Sequence, residues 1–277
     1  MKRVLIYRRG GLGDTLLTFP VVEILKKKGY LVDYVGNTDY LKLLKAVNWV
    51  ENIYFEVPNN LESYNAIFLF SKRNFISFPN VRLINPFPSK GIHVLQYYLS
   101  ELNLKNSYSR TFPLKGYQKW NSKVILHPGS GSPKKNAPLE LFLSLYYRLK
   151  NLGFEPLFVL GEAENNLWEV LKSFNTYKVE DILEFAKLLK GGLAFIGNDS
   201  GFTHLASYLG VPTIAIFGPT DPTLWKPIGP KTVVIYKNFQ CSPCFPKVCS
   251  AAVEKECLKV IKTEEILTAF EKLLNQL

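Results

Sequence analysis

The stretch Arg3-Val4-Leu5-Ile6-Tyr7-Arg8-Arg9-Gly10-Gly11-Leu12-Gly13-Asp14 sets the fold class of this chain. A short apolar run is followed by a glycine-rich turn and then by an amphipathic stretch that closes with three lysines and Gly29. The apolar run is typical of a buried strand, and the lysines with the glycine are typical of a helix C-terminus. The segment therefore predicts a strand over residues 3–7, a tight turn and a helix over 14–28.

The same alternation continues along the chain. Further strands are predicted over residues 31–35, 52–57, 66–70 and 81–84, with a helix over 92–102. After a polar, linker-like stretch at 106–122, the series restarts with strands over 124–127, 156–160, 193–196 and 213–217 and helices over 139–152, 163–174, 182–190 and 201–209. Two such series predict an α/β fold with two Rossmann-like lobes and a central cleft, divided into residues 1–115 and 116–277.

Composition and charge narrow the class of protein. Of the 277 residues, 47% are hydrophobic and 21% charged, as in ordinary globular proteins. The apolar run after Met1 is too short for a signal peptide, so we expect a cytoplasmic protein. Residues 1–123 carry 18 Lys and Arg against 8 Asp and Glu, a net charge of +10, whereas residues 124–277 carry a net charge of +1. The excess is either a solvated basic surface or a face for a polyanion, such as nucleic acid, a phosphorylated glycolipid or an anionic membrane.

Three loops that follow predicted strands could carry chemistry. In the first, three glycines precede Asp14, which is either a helix N-cap or a carboxylate that meets a ligand. The second runs from His127 to Pro138 with glycines, serines and two lysines, and is either a flexible loop or a phosphate cradle. The third runs from Gly197 to His204 and opens a helix, so its amides would point at an anion. His204 is either a structural residue or a side chain that donates a hydrogen bond to a phosphate.

The chain has no D-x-D sequence and no His/Asp/Glu cluster with metal-ligand spacing. A leaving diphosphate would therefore be neutralised by lysine and by helix dipoles rather than by Mg²⁺.

Together these loops resemble the bacterial heptosyltransferase family, the lipopolysaccharide core heptosyltransferases and their relatives in glycosyltransferase family 9. The resemblance covers nearly the whole chain in order. It rests on these motifs: Gly13-Asp14, the Pro-Gly-Ser loop that ends in Lys135-Asn136-Ala137-Pro138, Leu160-Gly161-Glu162-Ala163-Glu164, Asn198-Asp199-Ser200-Gly201-Phe202-Thr203-His204, and Phe217-Gly218-Pro219-Thr220-Asp221-Pro222. Ala137 stands where the family usually has tryptophan.

The resemblance implies a GT-B fold and an inverting, metal-independent glycosyltransferase that needs no cofactor. It would move a heptose from an ADP-heptose donor to a sugar hydroxyl of an anionic lipopolysaccharide core acceptor. The first lobe would bind this acceptor and the second the nucleotide sugar. The protein would then be located at the periphery of the inner membrane, against its anionic surface.

The resemblance also assigns roles by position. Asp14, beside Gly13, would be the general base. Lys135 would bind the diphosphate, with Ser130 and Ser132 nearby, and Glu164 would hold the ribose. The diphosphate and donor-sugar site would be shaped by four further residues: Asp199, Ser200, Gly201 and His204.

Four cysteines lie close together in sequence, as Cys241-x₂-Cys244-x₄-Cys249-x₇-Cys257. They could bind zinc, form disulfides or stay reduced, and we expect a structural role. Two other functions fit the three loops: a GT-B enzyme that uses a different nucleotide sugar, and a sugar-nucleotide-binding protein without turnover. Aromatic RNA-binding motifs are not evident, so we expect no nucleic-acid partner.

Overall fold

The computed structural model describes residues 2–88, 91–245, 249 and 254–276. It divides into two units, Met1–Ser109 and Arg110–Leu277, and each unit has its own parallel sheet. The domain boundary between residues 115 and 116 stays a prediction, as does the cleft. In the part of the chain that is described, no helix is long and apolar enough to cross a membrane.

The first unit is built on five strands: β1 (Arg3–Tyr7), β2 (Leu31–Val35), β3 (Asn52–Tyr54), β4 (Ala66–Phe70) and β5 (Val81–Ile84). Its helices are α1 (Leu12–Leu16), α2 (Phe19–Lys27), α3 (Thr38–Ala46) and α4 (Val94–Glu101), with a 3₁₀ turn at Leu61–Ser63. The strand order is β3-β2-β1-β4-β5.

Strand β1 lies at the centre of this sheet and pairs with β2 on one side and β4 on the other. Val4, Leu5 and Ile6 are almost fully buried, because both faces of a central parallel strand are covered. The chain leaves β1 toward β2 and returns on the opposite side at β4, so a crevice opens beyond the carboxyl end of β1. The glycine-rich loop that follows β1 lies at this crevice.

The second unit has six strands: β6 (Lys123–His127), β7 (Glu155–Leu160), β8 (Thr176–Lys178), β9 (Ala194–Asn198), β10 (Thr213–Phe217) and β11 (Thr232–Tyr236). Its helices are α5 (Leu139–Asn151), α6 (Trp168–Leu171), α7 (Ile182–Lys190), α8 (Gly201–Tyr208), α9 (Pro222–Trp225), α10 (Glu256–Lys259) and α11 (Thr263–Leu274). Two 3₁₀ turns cover Pro133–Lys135 and Glu162–Leu167.

The order of this sheet is β11-β10-β9-β6-β7-β8. Strand β6 pairs with β7 on one side and with β9 on the other, which again places a crevice at the carboxyl end of a central strand. The loops after β6 and β9 both lie at this crevice. Two of the three loops selected from sequence, those that follow β6 and β9, therefore meet in the second unit. The loop that carries Asp14 lies at the equivalent place in the first unit.

Most predicted elements are confirmed within one to three residues, and two helices are wrong in form. The helix predicted over 14–28 is two helices, α1 and α2, separated at Leu17 and Thr18. Pro20 is the second residue of α2, and because proline has no N–H it cannot continue the hydrogen-bond ladder of α1. The helix predicted over 163–174 is a 3₁₀ turn followed by the single turn α6.

The polar stretch that suggested a linker packs against the second unit. The Phe112 amide donates to Tyr208 O at 2.6 Å, and the Phe112 ring is fully buried beside the Tyr208 ring. Trp120 is 5% exposed and meets the rings of Tyr177 and Phe185. These contacts attach the stretch from Arg110 onward to the core of the second unit through Phe112, Leu114 and Trp120.

Phe112 should therefore stabilise the second unit. We expect Phe112→Ala to lower the free energy of unfolding by about 3–5 kcal/mol, since it removes a buried ring and leaves a cavity. Phe112→Leu, which keeps most of the apolar volume, should cost much less. Urea unfolding followed by fluorescence measures both variants. A Phe112→Ala protein within about 1 kcal/mol of the parent would mean that the segment is only loosely attached.

Candidate active site

Asp14 lies in the first turn of α1, just beyond the carboxyl end of β1. The N-cap residue of this helix is Gly11, whose amide donates to Asp14 Oδ2 at 3.2 Å. Asp14 thus caps the helix from its third position instead of acting as the N-cap itself. Its side chain is 29% exposed, so the carboxylate can still meet a ligand.

Arg8 forms an ion pair with Asp14. Arg8 Nη2 lies 2.9 Å from Asp14 Oδ1, and the arginine side chain is only 4% exposed. Its Nε, and its Nη2 apart from this ion pair, have no hydrogen-bond partner among the described residues. Because both nitrogen atoms are buried, their unsatisfied N–H groups are a cost to the fold, which the ion pair with Asp14 offsets in part.

Gly10 allows these two side chains to meet. A Cβ atom at this position would lie 2.9 Å from Asp14 Cβ, closer than real Cβ atoms allow, and 3.2 Å from Arg8 Cζ, which is a tight contact. Gly13 lies within α1 next to Asp14 and is half-buried. The Arg8–Asp14 ion pair lies so close to the backbone of Gly10 that this position has no room for a side chain. This is the close backbone approach that the glycines suggested.

In the second unit, the loop after β6 is held by its own serine. Ser130 is 5% exposed, and its hydroxyl lies 2.7 Å from Ser132 O and 2.6 Å from Asn136 Oδ1, so it donates to one of these two oxygens at a time. Ser132 is half-buried and precedes the 3₁₀ turn that carries Lys135. Ser130 therefore fixes the shape of the loop, whereas Ser132 and Lys135 are the side chains near its surface.

Asp199 is the centre of the second unit's site. It is 5% exposed, and its Oδ2 lies 3.2 Å from Lys135 Nζ and 2.8 Å from Thr220 Oγ1. His204 Nε2 lies 3.8 Å from Oδ1. Burial alone would raise the pKa of Asp199, but His204 and the Lys135 charge outweigh burial and lower this pKa to about 2. The carboxylate is therefore ionised at neutral pH, and it holds Lys135 at the crevice.

The start of α8 adjoins this carboxylate. Ser200 is the N-cap residue, with its hydroxyl 3.3 Å from the Thr203 amide, and Gly201 is the first helical residue. The first amide groups of a helix have no backbone partner within the helix, so those ahead of Thr203 are available to an anion beside Lys135. His204 lies one turn along α8 and its amide donates to Ser200 O.

Glu164 is buried beneath the Pro-Gly-Ser loop. It accepts from the Gly161 amide at 2.9 Å, and its Oε2 lies 3.4 Å from His127 Nε2. His127 Nδ1 in turn lies 3.1 Å from Ser200 Oγ, so a chain of polar side chains joins Glu164 to the start of α8. Burial opposes the charge of Glu164, yet the neighbouring His127 and the Gly161 amide lower its pKa. A Cβ atom at Gly129 would collide with the Glu164 side chain.

Several residues of the site were not singled out from sequence. Asn198 donates to Pro128 O at 2.7 Å and accepts from the Ala137 amide at 3.0 Å, so it fastens the loop after β6 at both ends. Asn198 and Thr220 both stood within the motifs that carried the resemblance. To assign a structural role to either residue, one must know which distant segments it contacts, and the sequence does not show this.

Phe245 brings residues 241–245, called the cysteine segment below, into the site. Lys135 Nζ lies 5.7 Å from the centre of the Phe245 ring, a cation–π distance. The amides of Cys244 and Phe245 both donate to Pro219 O at 2.9 Å, and Ser242 Oγ donates to Gly218 O. The segment is thus attached to the same run of chain that supplies Thr220.

Among the described residues, Cys241, Cys244 and Cys257 form no disulfide bond. Burial and the neighbouring cysteines raise the pKa of Cys257 to about 11, and the same causes raise the pKa of Cys244. These two thiols are therefore protonated at neutral pH. Within the described ranges, no group of three or more His, Cys, Asp or Glu side chains is arranged to hold a metal ion.

A family model described as glycosyltransferase family 9 (heptosyltransferase) matches residues 95–254, which is more than half of the chain. The chain belongs to this family. The match covers the loops that carry Lys135 and Asp199, and it extends into the cysteine segment. The resemblance inferred from the motifs is thereby confirmed.

Curated members of the family match parts of the chain. Lipopolysaccharide heptosyltransferase 1 of Pseudomonas aeruginosa is 38% identical over 84 residues, which are 30% of this chain and 24% of that protein. Lipooligosaccharide heptosyltransferase 2 of Campylobacter jejuni is 33% identical over 130 residues, which are 43% of this chain and 40% of that protein. The matched segments thus span less than half the length of these relatives.

Solved structures match over nearly the whole chain. Escherichia coli ADP-heptose lipopolysaccharide heptosyltransferase II has a TM-score of 0.78 at 15% identity and covers 100% of this chain and 99% of its own. E. coli heptosyltransferase WaaC with ADP has a TM-score of 0.70 at 16% identity and covers 98% and 99%. With the two parallel sheets, these likenesses confirm the α/β GT-B fold class.

The charge of Asp199 should make stability depend on acid. The folded-state pKa lies near 2, below the ordinary 3.8, so its contribution is complete above about pH 4 and is lost as the pH falls toward 2. We expect about 2 kcal/mol of unfolding free energy to disappear over this range. Asp199→Asn should remove that part of the pH dependence. The control is Asp39→Asn, which replaces an exposed carboxylate and should leave that part of the pH dependence in place. Equal pH profiles for the parent and Asp199→Asn in urea unfolding would contradict this view of the site.

Proposed function

We propose that this chain transfers a heptose from ADP-heptose to a sugar hydroxyl of a lipopolysaccharide core acceptor, with inversion at the anomeric carbon and without a metal ion. One observation carries the proposal. In the second unit, the ionised carboxylate of Asp199 holds Lys135 beside the N-terminus of α8, at the carboxyl edge where sheets of this kind bind nucleotides. Family membership supplies the chemistry that such an anion site would serve.

The donor would bind through its diphosphate. Lys135 supplies a cation and the first amides of α8 supply donors, so the two together can neutralise a leaving diphosphate without Mg²⁺. Asp199 and His204 would shape the pocket around it, with Ser132 near the phosphates. ADP is the nucleotide in one solved relative and ADP-heptose is named for another, which favours an adenine nucleotide over a uridine one.

We further propose that Glu164 serves the ribose side of the donor. Its Oε2 is engaged by the Gly161 amide and lies near His127, so a ribose hydroxyl would share a carboxylate that is already fixed in place. The buried Ser130 would contribute by holding the loop rather than by direct contact. Gly201 would contribute through its amide, at the first position of α8.

Asp14 would be the general base. The acceptor hydroxyl would give its proton to the Asp14 carboxylate as its oxygen bonds to the anomeric carbon. The bond from that carbon to the diphosphate oxygen would break on the opposite face, so ADP leaves and the configuration inverts. Arg8 would orient the carboxylate, and Gly13 with the other loop glycines would let the acceptor approach.

The acceptor side would be anionic. The first unit, Met1–Ser109, carries 14 Lys and Arg against 8 Asp and Glu, a net charge of +6, which suits a phosphorylated or carboxylated glycolipid at an anionic membrane surface. A panel of ADP- and UDP-linked sugars with short anionic core acceptors tests the function as a whole. Transfer from a UDP-sugar alone would favour another GT-B enzyme, and tight nucleotide binding without turnover would favour a binding protein.

Lys135 should be the main side-chain cation for the diphosphate. We expect Lys135→Ala to weaken ADP binding by about 1.5–3 kcal/mol, the usual worth of a hydrogen bond to a charged group. Lys134→Ala, one residue earlier and exposed, is the matched control and should change ADP affinity little. Calorimetric titration with ADP measures both. Unchanged affinity in Lys135→Ala would rule out this role, and a loss in Lys134→Ala alone would transfer it to the neighbour.

Asp14→Asn should reduce turnover by about 10²–10⁴-fold, the range for general-base assistance. The amide oxygen can still accept from Gly11, but Arg8 loses its counter-ion, so we also expect stability to fall by about 1–3 kcal/mol. ADP affinity should be unchanged, because the residues proposed to bind the nucleotide sugar lie in the second unit. Asp39→Asn, which also alters the first turn of a helix in this unit, is the control for rate. If Asp14→Asn is folded and turns over within a few-fold of the parent, the base lies elsewhere.

A further inference from the structure

His127, the last residue of β6, is buried in the second unit's site but takes no part in the reaction proposed above. Its side chain is 3% exposed, and its ring packs beside the rings of Phe195 and Phe202. The two ring nitrogens face different parts of the site. Nδ1 lies 3.1 Å from Ser200 Oγ, and Nε2 lies 3.4 Å from Glu164 Oε2. One imidazole thus lies between the carboxylate proposed for the ribose and the N-terminus of α8.

Glu164 depends on this imidazole for its charge. In the described part of the chain no lysine or arginine pairs with Glu164, whose side chain is only 5% exposed. Burial opposes ionisation, and His127 contributes most to lowering the pKa of Glu164, ahead of the Gly161 amide. Without the imidazole, the buried carboxylate would keep one amide donor and have no counter-charge, which favours its protonated form. A protonated acid offers fewer acceptor sites to a ribose hydroxyl.

The Nε2 atom of His127 faces only acceptors at Glu164. Nε2 is buried and has no hydrogen-bond partner of normal length among the described residues, and the Glu164 carboxylate lies 3.4 Å away. An ionised carboxylate attracts an N–H group at this distance and repels a nitrogen lone pair. We therefore place a hydrogen on Nε2, directed at Oε2.

The Glu164 carboxylate is enclosed on its other sides. The Gly161 amide donates to Oε2 at 2.9 Å, and a Cβ atom at Gly129 would collide with Oε1. Three segments of chain therefore fix the carboxylate: the loop after β6, the start of the 3₁₀ turn at Glu162–Leu167, and His127.

Ser200 extends the contact of His127 into α8. The Ser200 hydroxyl accepts from the Thr203 amide at 3.3 Å and lies 3.0 Å from Thr203 Oγ1, which in turn donates to Asn198 O. The N-cap of α8 and the Glu164 carboxylate thus share one buried side chain, so a change at His127 reaches both.

We propose that His127 is a positioning residue for the nucleotide donor, which holds the Glu164 carboxylate for the ribose in register with the N-terminus of α8. The proposal rests on the proposed function, because it takes the ribose hydroxyls to meet Glu164. His127 acts through Glu164 and Ser200 and does not touch the nucleotide.

The ribose hydroxyls provide a readout that a merely structural role would not move. ADP and 2′,3′-dideoxyadenosine 5′-diphosphate differ only in these hydroxyls, and calorimetric titration gives the ratio of their affinities. We expect the parent to prefer ADP. His127→Asn, which can replace Nδ1 but is too short to reach Glu164, should reduce the ratio by about 3–10-fold, the worth of one hydrogen bond.

His127→Gln is the matched variant, because its side-chain amide can place an N–H group near the position of Nε2. It should keep most of the preference for ADP. In a Glu164→Gln background, His127→Asn should no longer change the ratio, since the residue through which it acts is already altered. A folded His127→Asn protein with the parental ratio would overturn the proposal. Equal losses for both nucleotides would do the same and would leave His127 a structural residue only.

A measurement on the parent keeps the proposal testable if His127→Asn does not fold. The Nε2–H group of His127 is buried beside a carboxylate, so its imidazole N–H resonance should exchange slowly with water and should shift in Glu164→Gln. Heteronuclear NMR of ¹⁵N-histidine-labelled protein detects this resonance. An Nε2 atom without a proton would contradict the proposed contact.

Failure of the proposed function has a different signature. A parent that prefers UDP to ADP, or that binds nucleotide without transferring a sugar, contradicts the proposed reaction. The ratio for the preferred nucleotide and its 2′,3′-dideoxy form still decides the role of His127. A parent that binds both forms equally contradicts the ribose role of Glu164 and, with it, the role of His127.

Discussion

The buried carboxylate of Asp199 is the interaction on which the second unit's site depends. Its partners come from three places in the chain: Lys135 from the loop after β6, His204 from α8 and Thr220 from the loop after β10. A single ionised group in a position this buried must be compensated on several sides, and those partners are thereby brought together. Asn198 reinforces the arrangement by fastening both ends of the loop that carries Lys135.

Each unit has an ion pair in which one partner is buried and the other is more exposed, and the sign of the buried charge differs between the two units. In the second unit the acid is buried and the lysine is the more exposed partner, with 7% and 17% of their side-chain surfaces exposed. In the first unit the arginine is buried at 4% and the aspartate is exposed at 29%. Each pair thus keeps outward the charge that its proposed ligand requires, a cation toward a diphosphate and a base toward a hydroxyl. The buried partner fixes its position.

The cysteine segment acquires a role from its contacts rather than from its thiols. Two of its amides are bonded to Pro219, and its Phe245 ring lies at a cation–π distance from Lys135. Gly218 lies against Leu258 so closely that a Cβ atom there would collide with it. The segment therefore supports the loop that supplies Thr220 and borders the lysine of the site.

The sequence by itself determined the alternation of strands and helices, the parallel sheets, the glycine-rich loop and the family, because these follow from local periodicity and short motifs. It placed Lys135, Asp199, Ser200 and His204 in two loops that do meet. Tertiary structure alone decided which side chains pair. Arg8 with Asp14, Asn198 with two parts of one loop, and Phe245 with Lys135 depend on distances between segments that periodicity cannot report. Pro20 was visible in the sequence, yet the break before it was missed because the apolar pattern continued across it. The burial of Glu164 arises only when the loops after β6 and β7 close on one sheet edge.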